Sequence, residues 1–496
     1  MTAPAADHVD VLIVGAGLSG VGAAHHLTTS RPGTTFTLLE ARGAMGGTWD
    51  LFRYPGVRSD SDMHTLGYRF RPWTEAKAIA DGPAILQYVQ ETAREAGIDR
   101  KVRYHHKVVR ADWSSSDARW TVTAERTDTG ETVVFTCSFL FCASGYYRYD
   151  QGFTPDFAGV QDYAGTLVHP QLWPEDLDVT GKKVVVIGSG ATAVTLVPAL
   201  AKDAAHVTML QRSPSYVLPV PDVDPIADAL RRLPDAVAYP VIRWKNVAMS
   251  ALTYKLSRKY PAKMRSFIRW ATVKQLPEGY EVDTHFKPVY QPWDQRMCMV
   301  PNGDLFAAIS RGDASVVTDH VETFTEQGLR LRSGQELEAD VVVTATGLNL
   351  LAFGGLQLAV DGEDVDIRTT MAYKSLMLTG VPNFAYALGY TNASWTLKAD
   401  LTSEYVCRLL AHMEATGTTT VVPERDPSVQ EEPFLDFQAG YVVRAIEDFP
   451  KQGSAAPWKV TMNYVKDLRM LRHGSLVDGV RFSRPTPAEQ RTSVSA

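Results

Sequence analysis

Cysteine is scarce in this 496-residue chain: Cys137, Cys142, Cys298 and Cys407 are too few and too scattered for a disulfide scaffold. That scarcity fits a reducing compartment, and a cytoplasmic location is expected. Long apolar runs are missing too, since none approaches the roughly 18 to 20 residues needed to span a bilayer. Positions 1–10 hold acids but no Lys or Arg, and the apolar stretch after them is broken by Gly15, Gly17, Gly20 and Gly22. It reads as a buried strand, not as a signal peptide. A basic excess is absent as well: with a net charge of −6 and no basic–aromatic repeat, no nucleic-acid partner is expected. Nor is a metal site.

One further absence is local. No acid occurs at positions 236–277, where Arg243, Lys245, Lys255, Arg258, Lys259, Lys263, Arg265, Arg269 and Lys274 stand among Trp244, Leu252, Tyr254, Phe267, Ile268 and Trp270. The pattern is that of basic, amphipathic helices. A solvated helical face packed on the rest of the protein is the first reading; peripheral contact with a membrane surface is the second.

What the chain does have is ordinary globular composition, 45% hydrophobic and 21% charged, at a length that allows two or three domains. It also has two glycine-rich turns, Gly15-Ala16-Gly17-Leu18-Ser19-Gly20 and Gly188-Ser189-Gly190-Ala191-Thr192-Ala193, each following a short β-branched run. Glycines without Cβ atoms let the backbone approach a pyrophosphate, which then rests on helix N-terminal amides. After the first turn come a helix-compatible stretch, 18–27, and an apolar run, 36–39, closed by Glu40, the acid that would accept from ribose hydroxyls. Strand, turn, helix, strand and acid stand in the right order for a dinucleotide site. The second unit repeats the order but ends in Gln211-Arg212-Ser213. A cation in place of the acid suits a 2′-phosphate, so NADP is expected there over NAD.

The strand-like run 139–142 ends in Ala143-Ser144-Gly145, and a later one, 338–343, in Thr344-Ala345-Thr346-Gly347, both small-residue turns suited to the side of a dinucleotide. About 75 residues of helical pattern interrupt the second unit after Pro219, and an apolar helix is expected at 401–413. The expected fold class is α/β, with two Rossmann-like dinucleotide-binding domains. The first occupies 1–147 and is completed by 348–496; the second occupies 148–218 and 296–347, with a helical insertion at 219–295.

Between the two units lies Tyr163-Ala164-Gly165-Thr166-Leu167-Val168-His169-Pro170-Gln171-Leu172-Trp173-Pro174. It resembles the F-x-G-x-x-x-H-x-x-x-W-P fingerprint of type I Baeyer–Villiger monooxygenases, with Tyr163 in place of the phenylalanine. A second pattern of that family, G-G-x-W and then Y-P-G and an Asp, is matched by Gly46-Gly47-Thr48-Trp49, Tyr54-Pro55-Gly56 and Asp60. With both turns in order, the likeness covers nearly the whole chain, and stretches 46–62, 169–198 and 389–400 are similar to the family's ethionamide-activating subgroup.

The resemblance implies FAD in the first domain and NADPH in the second. It implies hydride transfer to the flavin, capture of O2 as a C4a-peroxide and conversion of a ketone to an ester or lactone, with sulfides or thioamides as further substrates. Arg296, in Trp293-Asp294-Gln295-Arg296, matches the family's arginine that stabilises the peroxide, and Asp60 the carboxylate that orients it. His169 and Trp173 are expected to couple domain movement to catalysis. Gly15, Gly17, Ser19, Gly20, Glu40, Gly47, Thr48, Trp49, Asp60, Val108 and Gly145 form the expected FAD site. Arg58, Gly188, Ser189, Gly190, Ala191, Thr192, Gln211, Arg212 and Ser213 form the expected NADP site, where Gln295 stands in place of the family's lysine. Trp395 is expected to wall the substrate or nicotinamide pocket or to be a core tryptophan.

Other readings are a nitrogen- or sulfur-oxidising flavin monooxygenase, a non-enzymatic nucleotide-sensing protein and an NADPH-dependent flavin disulfide reductase. Trp173-Pro174 disfavours the first, and the second leaves Arg296 and Asp60 without a role. For the third, Cys137 and Cys142 form the C-x4-C spacing, but they flank a strand-like run whose odd separation places them on opposite faces, as core thiols.

Overall fold

The computed structural model describes residues 7–230, 232–295, 297–435 and 439–484. Its first strand, Asp7–Val14, is marked by an unbroken apolar end, not by alternation. Val11, Leu12 and Ile13 are wholly buried, as expected for a central parallel strand covered on both faces. It pairs in parallel with Phe36–Leu39 on one side and Thr132–Cys142 on the other. The resulting nine-stranded sheet also takes in the antiparallel pair His106–Ser114 and Arg119–Arg126. Gln357–Val360 and Phe384–Tyr386, from far along the chain, and the two-residue edge strands Val102–Arg103 and Glu363–Asp364 complete it.

A second, five-stranded sheet is parallel throughout, in the order Ala314–Thr318, His206–Gln211, Lys183–Ile187, Val341–Thr344 and Thr166–Val168. Helices Ala191–Leu200 and Asp304–Arg311 bury their apolar sides against it. The architecture is α/β, two Rossmann-like units with helices inserted into the second. Between Thr318 and Val341 lies a three-stranded antiparallel sheet that the sequence pattern did not signal. Its strands are short and half solvated, so their hydrophobic period is weak.

The inserted helices are stemmed by a parallel pair, Val217–Val220 with Cys298–Pro301. The long helix Asp235–Lys259 crosses back to the first unit. There the buried Arg243 donates from Nη1 to the His64 and Gly67 carbonyls, 2.8 Å each, at the end of the short helix Met63–Leu66. Helix-end carbonyls lack intrahelical partners, and a guanidinium satisfies them. Tyr239 donates to the Tyr68 carbonyl at 2.8 Å, and the Asn246 amide to Asp62 at 3.0 Å. The basic segment is therefore packed on the rest of the protein along one side. Among the described residues no helix is long and apolar enough to cross a membrane.

Cys137 and Cys142 correct another expectation. Both lie on Thr132–Cys142 and face the same core cluster, with Phe135 and Leu140, while Phe139 and Phe141 face the other core. The alternation slips between Cys137 and Phe139, so an odd separation no longer means opposite faces. All four cysteines are buried and stand outside any disulfide, and burial pushes the Cys137 and Cys142 thiols up. The helix expected at 401–413 runs from Trp395 to Thr416 and is closed by Gly417 at φ +63°.

Candidate functional site

The two glycine-rich turns are built alike. Gly15 has φ +100°, and a Cβ there would stand 2.9 Å from the Ala143 carbonyl oxygen; Gly188 has φ +141°, with the Ala345 oxygen at 2.3 Å. In each unit the first glycine thus lets the turn nest against the small-residue end of a neighbouring strand. Each following helix, Leu18–Ser30 and Ala191–Leu200, has a glycine N-cap, Gly17 or Gly190, with no side-chain hydrogen bond to its first-turn amides. Those N–H groups are left for a ligand, and pyrophosphate is the anion that fits them.

Both turns open into one cleft of about 1370 Å³. Gly15, Gly17, Ser19 and Glu40 line its first arm. The buried Glu40 accepts the Ala16 amide at 2.8 Å and the Arg42 amide at 3.0 Å. Burial holds its carboxyl above the ordinary range, with those amides opposing. Gly47, Thr48, Trp49, Asp60, Val108 and Gly145 also line the cleft. Gly47, at φ +57°, packs on the first turn, because a Cβ there would sit 3.1 Å from the Gly17 Cα. Gly20 does not line the cleft. A Cβ on it would meet the Gly15 oxygen at 2.0 Å, so its place is in helix–turn packing.

Gly188, Ser189, Gly190, Ala191, Thr192, Arg212 and Ser213 line the second arm. Gln211 does not, which corrects its expected role: its amide is buried and donates to the His285 carbonyl at 2.7 Å and to Thr318 at 2.8 Å. Side chains alternate along a strand, so Gln211 faces the protein while Arg212 stands exposed on the cleft. Arg58 lines the cleft, but its guanidinium is paired with Asp304 at the start of a helix in the second unit. Its charge ties the units together.

The Y-P-G motif has the same task. Gly56, at φ +75°, lies on the helix Ala191–Leu200, where a Cβ would stand 2.8 Å from the Ala199 Cβ. Tyr54, its hydroxyl pushed up to about 12 by burial, hydrogen-bonds Thr192 of the second turn. In the linker, His169 Nε2 lies 3.1 Å from the Gly347 carbonyl and Nδ1 accepts the Gln171 amide at 3.1 Å. This assigns the neutral Nε2–H tautomer, and burial holds the ring below its ordinary pKa. Trp173 is half-buried against the second unit's core and does not line the cleft.

Trp395 lines the cleft beside the first turn, donates from Nε1 to Ser19 Oγ at 2.8 Å and stacks on Tyr146 at 5.1 Å. It is both wall and packed aromatic. Arg296 lies outside the described residues. Its sequence neighbours Gln295, Cys298 and Met299 line the cleft. Sequence reasoning missed Tyr146, Tyr147 and Tyr149, which line the cleft just beyond Gly145, although an aromatic run after a strand-end turn was a readable signal. It also missed His320, Arg332 and Arg444, brought to the wall from segments remote in sequence.

Comparison with known proteins follows the same lines. Residues 78–376 match the model of the flavin-binding monooxygenase-like family, and residues 13–81 that of an NAD(P)-binding Rossmann-like domain. The FAD-containing monooxygenase EthA of Mycobacterium tuberculosis is 58% identical over 486 residues, 97% of this chain and 99% of that one. The probable FAD-binding monooxygenase AlmA of Acinetobacter baylyi is 45% identical, over 98% of each. Among solved structures, an oxidized steroid monooxygenase bound to NADP has a TM-score of 0.74 at 22% identity, over 96% of this chain and 100% of that one. An open form of cyclohexanone monooxygenase has a TM-score of 0.72 at 19% identity, over 96% and 100%. These two share the fold.

Proposed function

The chain belongs to the flavin-binding monooxygenase-like family, and on that premise we propose that it is a Baeyer–Villiger monooxygenase. With FAD in the first arm and NADPH in the second, it converts a ketone, NADPH, a proton and O2 to an ester or lactone, NADP⁺ and water. Sulfides and thioamides form a second substrate class. The observation that carries the reading is the single cleft into which both uncapped helix N-termini open, with Trp395, Tyr146 and Asp60 on its wall.

FAD, when bound, supplies the activation of O2. This chain's residues do the rest. Glu40 accepts from ribose hydroxyls, the two turns hold the pyrophosphates, and Arg212 meets the 2′-phosphate. Trp395 and Tyr146, stacked beside the first turn, keep water from that part of the cleft. Arg296 is the fixed cation that holds developing negative charge on oxygen, oriented by Asp60. The protein works in the cytoplasm on small molecules, with its inserted helices in peripheral contact with a membrane.

The test is oxygenation of a panel of ketones and sulfides by the FAD-loaded protein under isotopically labelled O2. One labelled oxygen atom in an ester is the expected result. NADPH oxidation that yields only hydrogen peroxide across the panel overturns the reading. Arg296→Ala is expected to keep FAD bound and reducible by NADPH while losing ester formation at least a hundredfold, as removal of such a stabilising group does. Near-normal ester formation by that variant removes Arg296 from its role.

A further inference from the structure

Of the nineteen large apolar side chains that stand exposed among the described residues, twelve lie between Ile226 and Val273. Surface apolar residues are ordinarily scattered, so this concentration calls for a partner. The helix Asp235–Lys259 is apolar on two sides. Ala238, Ile242 and Val247 are buried in the protein, whereas Val237, Val241, Trp244 and Leu252, spaced as i, i+4, i+7 and i+15, share the outer face and are each about half exposed. The next helix, Pro261–Val273, presents Lys263, Phe267 and Trp270 at the same spacing, with Lys274 one turn on.

The charges sort themselves as well. Arg243 is buried, Lys245 pairs with Asp224, Arg258 with Asp294 and Arg269 with Asp283. Lys255, Lys259, Lys263, Arg265 and Lys274 remain exposed beside the apolar stripe, with no acid at positions 236–277. Lys274 lies 4.1 Å over the Trp270 ring, and Lys259 and Lys263 lie 5.3 and 5.5 Å from the Tyr260 ring. Aromatic bodies with ammonium groups at their edges match the boundary between acyl chains and headgroups.

We propose that the outer face of these two helices docks on the anionic surface of a lipid bilayer, with its aromatic side chains at headgroup depth. This names the surface and the lipid class behind the peripheral contact suggested above, and it does not depend on the oxygenation chemistry. A second copy of the chain fits less well, because a symmetric contact would set the five exposed cations against their own equivalents.

The experiment is co-sedimentation of the full-length, FAD-loaded protein with phosphatidylcholine vesicles, with and without phosphatidylglycerol. Binding to the anionic vesicles at low salt and release at high salt are expected. The combined K255Q, K259Q, K263Q and K274Q changes should lower that binding at least tenfold, as should the combined W244S, F267S and W270S changes. FAD content and NADPH oxidation in solution should not move. Arg258 stays as it is, because Asp294 already uses its charge. Absence of binding at low salt overturns the proposal, as does equal binding to neutral vesicles. Dimerisation of the vesicle-free protein that the aromatic changes abolish overturns it in favour of a second copy.

Discussion

Gln211 and Arg212 are neighbours in sequence with opposite destinies, one hydrogen-bonded inside the protein, the other exposed on the cleft. On the proposed function, the second meets the 2′-phosphate and so distinguishes NADPH from NADH. Arg212→Ala should raise the KM for NADPH by one to two decades, the worth of a charge-assisted contact of about 1.5 to 3 kcal/mol, and barely alter that for NADH. Equal losses for both nucleotides would take Arg212 off the phosphate. Glu40 sets a second expectation, in which the sign follows from its raised pKa. Ribose hydroxyls donate best to the carboxylate, so FAD binding favours the ionised form and releases a proton from the protonated one. FAD affinity should therefore be full above the raised pKa of the free protein and fall about tenfold per pH unit below it. Reconstitution of the apoprotein with FAD across pH measures this, and Glu40→Gln should flatten the profile; an unchanged profile in the variant assigns the proton elsewhere.

At the scale of elements, what the sequence reveals is what lies close along the chain. Strand, glycine turn and helix are contiguous, so Gly15, Gly17, Gly188 and Gly190 stand where the spacing places them, with Glu40 beside the first pair. What depends on distant packing is not legible: the Arg58–Asp304 pair, the approach of His320 and Arg332, and the crossing of Arg243 to the first unit each join segments far apart in sequence. The linker lies between these cases. Its motif marks His169, but only the fold shows that the ring reaches the Gly347 carbonyl while Gln171 donates to the Arg148 and Tyr149 carbonyls at 2.8 and 3.0 Å. Since burial lowers the His169 pKa, the neutral ring is favoured in the folded state. The stability it contributes is full above the ordinary histidine value of about 6.5 and is lost as pH falls below it. Proteolysis of the linker should thus speed up below that pH in the native protein. In His169→Gln it should be pH-independent, and an identical pH dependence in the variant places the titrating group elsewhere.

Taken whole, the molecule has two sets of cores, one around the nine-stranded sheet and one around the five-stranded sheet, tied by the linker, the long inserted helix, the Arg58–Asp304 pair and the Tyr54-Pro55-Gly56 segment. Each core is built to take its own dinucleotide, so each ligand should stabilise one unit directly and the other only through the ties. Arg243 anchors the inserted helix to the first unit, and its removal leaves buried helix-end carbonyls without this donor, at a cost of about 1 to 3 kcal/mol. A ligand at a hundred times its Kd adds about 2.7 kcal/mol to the unit it binds. In the native protein the two transitions should stay linked, and FAD should raise both in calorimetry. In Arg243→Met they should separate, with FAD raising the transition of the first unit and NADP⁺ that of the second. If FAD still raises both transitions together in that variant, the inserted helix is not what carries stability between the units, and the linker around His169, the Arg58–Asp304 pair and the Tyr54-Pro55-Gly56 segment carry it instead.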